Sequence, residues 1–303
     1  MKKLFLLSIA MLALLCAGAG AEEGLRIVAT DFPCYDFARR VAGEGAEVTM
    51  LLKPGTEAHA YDPTPADILA IGEADLFVYI GGESDAWVDS ILAGLGDECP
   101  ATLRMMDCVA GLVEEDGDDD HHHDDAGPEY DEHIWTSPVN AAAMVESLGE
   151  KLAQIDPANQ AAYAANAGEY AGEIMAVDAE IRRIVEHAER TTLVFADRFP
   201  FVYLAREYGL DYLAAFPSCT ADTEPSAQVV MALIDKVASE HIPAVYTIEL
   251  STRAIARTVS EETGAKILTL HSMQTVTQDE FDAGETWASL MQKNVEALRE
   301  GLQ

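Results

Sequence analysis

Short apolar strands alternate with helical segments in both halves of this 303-residue chain, and one apolar stripe runs unbroken between the halves. Together these two patterns predict an α/β protein of two parallel-sheet lobes joined by one long rigid helix. In the first half, Leu25–Thr30, Glu47–Leu52 and Leu76–Ile80 read as short buried strands. Between the last two, Thr64-Pro65-Ala66-Asp67 is a helix start, with Thr64 as the cap and Pro65 in the first turn, and that helix ends near Glu73. Ser137-Pro138 and Asp156-Pro157 are two further starts of the same kind.

The segment opened by Asp156-Pro157 is the longest helical pattern in the sequence. Tyr163, Ala167, Tyr170, Ile174, Val177, Ile181, Ile184 and Ala188 recur at alternating spacings of four and three, which keeps them on one face. About 33 residues at about 1.5 Å each make a rod of about 50 Å, longer than one small lobe needs. It is expected to be the spine between lobes. Beyond it the strand and helix rhythm resumes, with strands at Thr192–Phe195, Tyr212–Ala215, Ala244–Glu249 and Lys266–Leu270. Helices are expected around 199–208, 226–239, 252–262 and 285–301. The expected organisation is a lobe over 22–155, a linker helix over 156–190 and a second lobe over 191–303.

Residues 1–21 read as a secretory signal peptide: Lys2 and Lys3, an apolar run from Leu4 to Leu15, then small residues ending in an A-x-A exit at Ala21. Cys16 raises the alternative of a lipid anchor, although Leu15 stands where a lipobox has a small residue. Either route places the protein outside the cytoplasm, in the periplasm or at the cell surface. The formal charge is −34, and losing Lys2 and Lys3 would deepen it by two. Such a balance offers no basic surface for nucleic acid and favours solubility, a monomeric state and the attraction of cations. Cys34, Cys99, Cys108 and Cys219 show no C-x-x-C spacing, so a zinc ribbon is not expected, while Cys99 and Cys108 are near enough in sequence to pair in an oxidising compartment.

Histidine and carboxylate cluster unevenly along the chain. Residues 114–132 are crowded with acids around His121, His122 and His123, a composition expected of a surface loop and suited to weak, rapid metal capture. His59 lies upstream in Gly55-Thr56-Glu57-Ala58-His59 and His133 downstream in Asp131-Glu132-His133-Ile134-Trp135. In open parallel sheets ligands sit beyond the carboxyl ends of strands. His59, Asp197, Glu249 and His271 all fall at such ends, so a metal between the lobes would draw ligands from both. Each has a plainer reading: an exposed loop histidine for His59, stacking on Trp135 for His133, a turn cap for His271, a helix cap or partner of Arg198 for Asp197, and a structural or supporting carboxylate for Glu249. Cys219 is a weak thiolate candidate, and His187 and His241 are expected to face solvent.

These motifs carry a resemblance. Lys53-Pro54-Gly55-Thr56-Glu57-Ala58-His59 with its Pro-containing helix start, the acidic histidine loop, Asp131-Glu132-His133-Ile134-Trp135-Thr136-Ser137-Pro138, the long helix and Tyr203-Leu204-Ala205-Arg206-Glu207-Tyr208-Gly209-Leu210 resemble the zinc-specific substrate-binding proteins of metal ABC importers. The resemblance covers nearly the whole mature chain. It implies two Rossmann-like lobes joined by a rigid helix, a metal in the interlobe cleft, and His59 and His133 as first-lobe ligands. The sequence departs from the family at Ala196, where a histidine is usual, and at His271, where a carboxylate is usual. The implied set is therefore His59, His133 and His271, completed by Asp197 or a water, with Glu249 behind it.

Three histidines favour Zn²⁺, whereas more carboxylate oxygen would favour Mn²⁺. The implied function is capture of Zn²⁺ outside the membrane and delivery to a permease and its ATPase, with no chemical step. The rival readings are a manganese binder of the same fold, a secreted zinc hydrolase, and an extracellular metal buffer or adhesin. The hydrolase would need an open coordination position and a base, and no HExxH or nucleophile triad signature is present.

Overall fold

The computed structural model describes residues 24–114, 129–216 and 225–303. The expected signal peptide with Cys16, the histidine run 121–123 and Cys219 lie outside the described residues.

The first sheet contains β1 (Leu25–Ala29), β2 (Ala46–Met50), β3 (Leu76–Tyr79) and β4 (Ala101–Arg104), all parallel, in the order β2-β1-β3-β4. The second contains β5 (Thr192–Phe195), β6 (Asp211–Ala214), β7 (Ala244–Thr247) and β8 (Lys266–Thr269), parallel, in the order β6-β5-β7-β8. The two orders are the same, so the strand order reverses at β1/β3 in one lobe and at β5/β7 in the other. At such a reversal the helices on either side leave a crevice at the strands' carboxyl ends.

Helices cover both faces of each sheet, as parallel strands require. In the first lobe these are α1 (Phe32–Ala42), α2 (Pro65–Gly72), α3 (Val88–Leu95) and α4 (Pro138–Ile155). The second has α6 (Val202–Tyr208), α7 (Ala227–Ser239), α8 (Ala254–Thr263), a short α9 (Gln278–Asp282) and α10 (Trp287–Gly301). Thr64 caps α2 as the sequence implies, in a reciprocal capping box with Asp67. Ser137 caps α4 by accepting the Asn140 N–H, with Pro138 in its first turn.

Between the lobes runs α5, Gln160–Glu186, 27 residues long. It is shorter than the expected 33, because Pro157–Asn159 forms a separate 3₁₀ turn and the helix closes at His187. The predicted stripe holds: Tyr163, Ala167, Tyr170, Ile174, Val177, Ile181 and Ile184 are all buried. One continuous apolar core runs from α1 and α4 across this stripe to α6 and α10, while two smaller clusters fill the outer faces of the sheets.

Two buried carboxylates fix the helix to its neighbours. Asp36 on α1, with no exposed surface, accepts hydrogen bonds from Tyr170 Oη on α5, from the Trp287 N–H at the start of α10 (2.8 Å) and from Arg39 Nε (3.0 Å). Burial pushes its pKa up, against the opposing pull of Arg39, Tyr170 and Trp287. Two helical turns on, Asp178 accepts from Tyr208 Oη on α6 (3.0 Å) and Arg182 Nε (2.9 Å). The spine therefore grips the first lobe through Tyr170 and the second through Asp178.

Three features differ from the sequence expectation. Strand β4 and helices α1 and α3 are not among the expected elements, although α1 has a capping Asp31, Pro33 in its first turn and one buried face with Phe37, Ala38 and Val41; β4 is short and is held by parallel pairing with β3. Strand β5 ends at Phe195 as expected, with Asp197 in the loop beyond it, whereas the other expected strands end one to two residues early, which puts Glu249 in the loop after β7. Cys99 and Cys108 are separate thiols, because β4 holds the chain extended between them and Cys108 Sγ turns back to the Arg104 carbonyl (3.6 Å).

Replacing Asp36 by alanine would leave Tyr170 Oη and the Trp287 N–H buried without an acceptor and Arg39 without its partner. The expected cost is about 3–5 kcal/mol of unfolding free energy, read from urea denaturation of the metal-free protein.

Candidate metal centre

His59 lies in a single 3₁₀ turn, Ala58–Ala60, reached by the loop after β2, and His133 precedes another, Ile134–Thr136. Their rings approach to 5.8 Å between centroids, and His59, Glu132 and His133 present ligand atoms that all lie within 4.8 Å of one another. His133 is 1% exposed and Glu132 3%, whereas His59 is half-buried at the cleft wall.

Hydrogen bonds settle which ring nitrogen faces a cation. Ser84 Oγ donates to Glu132 Oε1 (2.5 Å), so toward His59 Nδ1, 2.9 Å away, it is the acceptor. His133 Nδ1 is 3.1 Å from Asp131 Oδ1, which can only accept. Both imidazoles therefore carry their proton on Nδ1 and keep the Nε2 lone pair, the arrangement in which carboxylate or hydroxyl partners orient metal-binding histidines. Burial lowers the His59 pKa below its usual value, outweighing Glu132, and the neighbouring His133 adds to the effect.

The supporting groups are themselves fixed. Glu132 accepts the Ser84 N–H (2.8 Å) and Gln274 Nε2 (3.0 Å) from across the cleft. A side chain at Gly82 would collide with Glu132, so this position needs glycine for close approach. Trp135 Nε1 donates to the Ser272 carbonyl (2.7 Å), and Trp287 Nε1 donates to the Trp135 carbonyl (3.0 Å). These two buried indoles bolt the His133 turn to the second lobe.

A cavity of about 210 Å³ opens between the lobes, lined on one side by His59, His133 and Glu57 and on the other by Arg198, Ile248, Glu249, Leu250 and Gln274. The remaining sequence candidates are placed differently. Asp197 accepts from the Ser251 hydroxyl and the Arg198 N–H (3.0 Å) and lines an adjoining surface pocket. Glu249 reaches the cavity wall, but its oxygens accept the Ser272 N–H (2.7 Å) and hydroxyl. His271 is 6% exposed and turned away from the imidazole pair: Nδ1 accepts the Met273 N–H (2.9 Å) and Nε2 lies 3.6 Å from Glu280. Burial disfavours its charged form, yet Glu249 and Glu280 outweigh burial and raise its pKa, while the His271 contact holds Glu280 down at about 2. His187 and His241 are exposed, away from the cleft.

Sequence reasoning did not select Glu132, Ser84, Asp131 or Gln274. Glu132 and Asp131 adjoin His133, so a rule that metal-binding histidines recruit neighbouring carboxylates would have found them; Ser84 and Gln274 meet the site only through the fold.

Two parallel-sheet lobes, one connecting helix and an imidazole pair in the cleft define a two-lobed α/β protein with a candidate metal site between the lobes. The profile of the family described as ZnuA, zinc-uptake complex component A, periplasmic, matches residues 27–301, and the chain belongs to that family. It is 30% identical over 311 residues to the high-affinity zinc uptake system protein ZnuA of Bacillus subtilis, covering 99% of this chain and 97% of the relative. It is 33% identical over 307 residues to the zinc-binding lipoprotein AdcA of Streptococcus pneumoniae, covering 99% of this chain but only 61% of that relative's length. The crystal structure of the Zn(II)-bound ZnuA-like domain of that AdcA superposes with a TM-score of 0.78 at 31% identity, covering 92% of this chain and 99% of the domain. These likenesses agree with the two-lobe α/β fold read from the sequence. Among the described residues no helix is long and apolar enough to cross a membrane.

Behind the imidazoles, Asp31 and Asp85 are buried against each other and Glu132. Burial first, then the Asp85 charge, pushes the Asp31 carboxyl up to about 8. An acid whose folded pKa is raised binds more protons folded than unfolded, so stability falls as pH climbs from about 4 toward 8. Asp31→Asn retains an acceptor for the Cys34 N–H and removes this penalty. It is expected to raise the melting temperature of the metal-free protein by several degrees at pH 8 and to change it little at pH 4.5, measured by scanning calorimetry.

Proposed function

We propose that this chain is the extracytoplasmic metal-binding component of an ABC importer, which captures Zn²⁺ in the interlobe cleft and hands it to a membrane permease driven by an ATPase. The observation that carries this reading is the pair of imidazoles His59 and His133, each with Nδ1 fixed by its own hydrogen bond and gathered with Glu132 within 4.8 Å. Family membership and likeness to zinc-binding relatives support zinc as the cargo. His59 and His133 are the proposed ligands, with Glu132 as the nearest carboxylate and Gln274 facing it. His271 and Asp197 are proposed as supporting residues, since their donor atoms are engaged elsewhere. A nitrogen-based pair suits Zn²⁺ better than Mn²⁺, which favours oxygen.

No chemical step is proposed. A zinc hydrolase needs a base free to act at the metal, and the carboxylates nearest the imidazoles are committed to Ser84, Gln274 and Ser272. The reading further includes a location in the periplasm or at the cell surface, reached with a cleaved signal peptide or with a lipid on Cys16, a monomeric state, and the 121–123 histidines as an accessory capture segment.

Calorimetric titration of the metal-free protein with Zn²⁺ tests the assignment. His59→Ala and His133→Ala are expected to abolish tight one-to-one binding, and His271→Ala to stay within about threefold of the parent. Ser84→Ala, which frees the His59 ring, is expected to weaken binding by about 10–100-fold. Loss of tight binding in His271→Ala with retention in His59→Ala would overturn the ligand set.

The pH dependence has a definite sign. Protonation of the two imidazoles competes with Zn²⁺, and burial keeps His59 unprotonated to below its usual 6.5. Zinc affinity should therefore hold from pH 8 to about 6.5, then drop steeply in competition titrations at lower pH.

A further inference from the structure

We propose that the cleft takes zinc as a complex with a small amino-acid-type chelator, whose carboxylate docks on Arg198. This inference rests on the importer reading above and narrows its cargo.

The donor set is the first reason. Zinc in proteins takes about four ligands at about 2.0–2.3 Å. His59 and His133 supply two from the first lobe; Glu132, the nearest carboxylate, already accepts from the Ser84 N–H, the Ser84 hydroxyl and Gln274 Nε2, and the facing wall supplies few. Asp197 is spent on Ser251 and the Arg198 N–H, Glu249 on Ser272, and His271 points to the Met273 N–H and Glu280. Ala196, directly after β5, has no donor at all. An amine nitrogen and a carboxylate oxygen from one small molecule would fill the two remaining positions.

Space is the second reason. The cavity measures about 210 Å³, far more than the roughly 10–15 Å³ that one water needs on the same measure. Its far wall combines a guanidinium, Arg198, with the apolar surfaces of Pro200, Ile248 and Leu250. Leu250 is 53% exposed with φ of 56°, a left-handed conformation that a branched side chain adopts only when the surrounding loop imposes it.

Charge is the third. Glu57 and Glu249 in the cavity lining draw the dication, and the Arg198 guanidinium in the same lining attracts a carboxylate bound to that dication, with two-pronged geometry. Arg198 lies 3.3 Å from Glu57, whose side chain is 52% exposed, and a carboxylate on the metal would compete with this well-hydrated partner among the contacts of Arg198. Zinc carrying one monoanionic amino acid keeps a net positive charge and is still drawn to a chain of charge −34, whereas zinc citrate is not.

The test uses the full mature chain and three probes: Zn²⁺ alone, Zn²⁺ with L-histidine, and Zn²⁺ with citrate, followed by native mass spectrometry and by calorimetry at matched free zinc. The expected result is a one-to-one-to-one complex with zinc and histidine and an apparent zinc affinity at least tenfold above that for zinc alone. The histidine-dependent gain, taken as a ratio within each variant, should fall at least fivefold in Arg198→Ala and be partly retained in Arg198→Lys. If histidine only competes, with zinc alone in the mass spectrum, or if citrate alone forms the ternary species, the proposal is overturned and the importer reading stands. An unchanged gain in Arg198→Ala overturns the docking. Absence of zinc binding with every probe overturns the importer reading itself.

Discussion

The architecture depends on one buried carboxylate. Asp36 is surrounded by apolar side chains, where an unsatisfied charge would be costly, and its lone pairs are taken up by three partners on three different elements. Because Tyr170 belongs to the connecting helix and Trp287 to the last helix, satisfying Asp36 forces α1, α5 and α10 into one arrangement. The apolar stripe of α5 supplies most of the favourable burial. It does not by itself select the rotation of the helix about its axis, and hydrogen bonds with fixed directions do.

The site inherits its precision from that arrangement. Trp287, whose N–H is held by Asp36, donates its indole proton to the backbone of Trp135, and Trp135 in turn donates to Ser272. His133 stands two residues before Trp135. The position of a proposed ligand is thus tied, through two indoles, to a carboxylate in the interior of the first lobe. Gln274 and Glu132 close a further link across the cleft. With so many short connections between the lobes, the cleft is built as a pocket of nearly fixed width rather than one that must collapse around its cargo.

Much of this was legible from the chain. The strand and helix rhythm, the Pro-marked helix starts and the stripe from Tyr163 to Ile184 are local patterns, and local patterns survive folding. The approach of the His59 and His133 rings was foreshadowed by the loop after β2 that carries His59 and by the acidic flank Asp131-Glu132 beside His133, the two segments on which the family resemblance rests. What the sequence concealed was direction. His271 sits directly after β8, as a ligand would, but its ring nitrogens meet the Met273 N–H and Glu280, a choice made by backbone turn geometry and by the cap of α9. Ser84 and Gln274 are ordinary polar residues until the fold brings them to His59 and Glu132, so no spacing rule reveals them. The shortfall in α5 came from Pro157, which permits a tight turn as readily as a first helical turn.

The two grips of the spine, Tyr170 and Asp178, lie on one continuous helix, and this restricts how the gene can change. A residue inserted or deleted between them would swing one lobe by about 100° and shift it by about 1.5 Å along the axis. Tyr170 and Asp178 could not then both meet their partners. Drift in this stretch must proceed by substitution alone, while length variation is confined to the surface loops. The distance from Tyr170 to Asp178 is in effect a ruler whose graduations the lineage cannot alter.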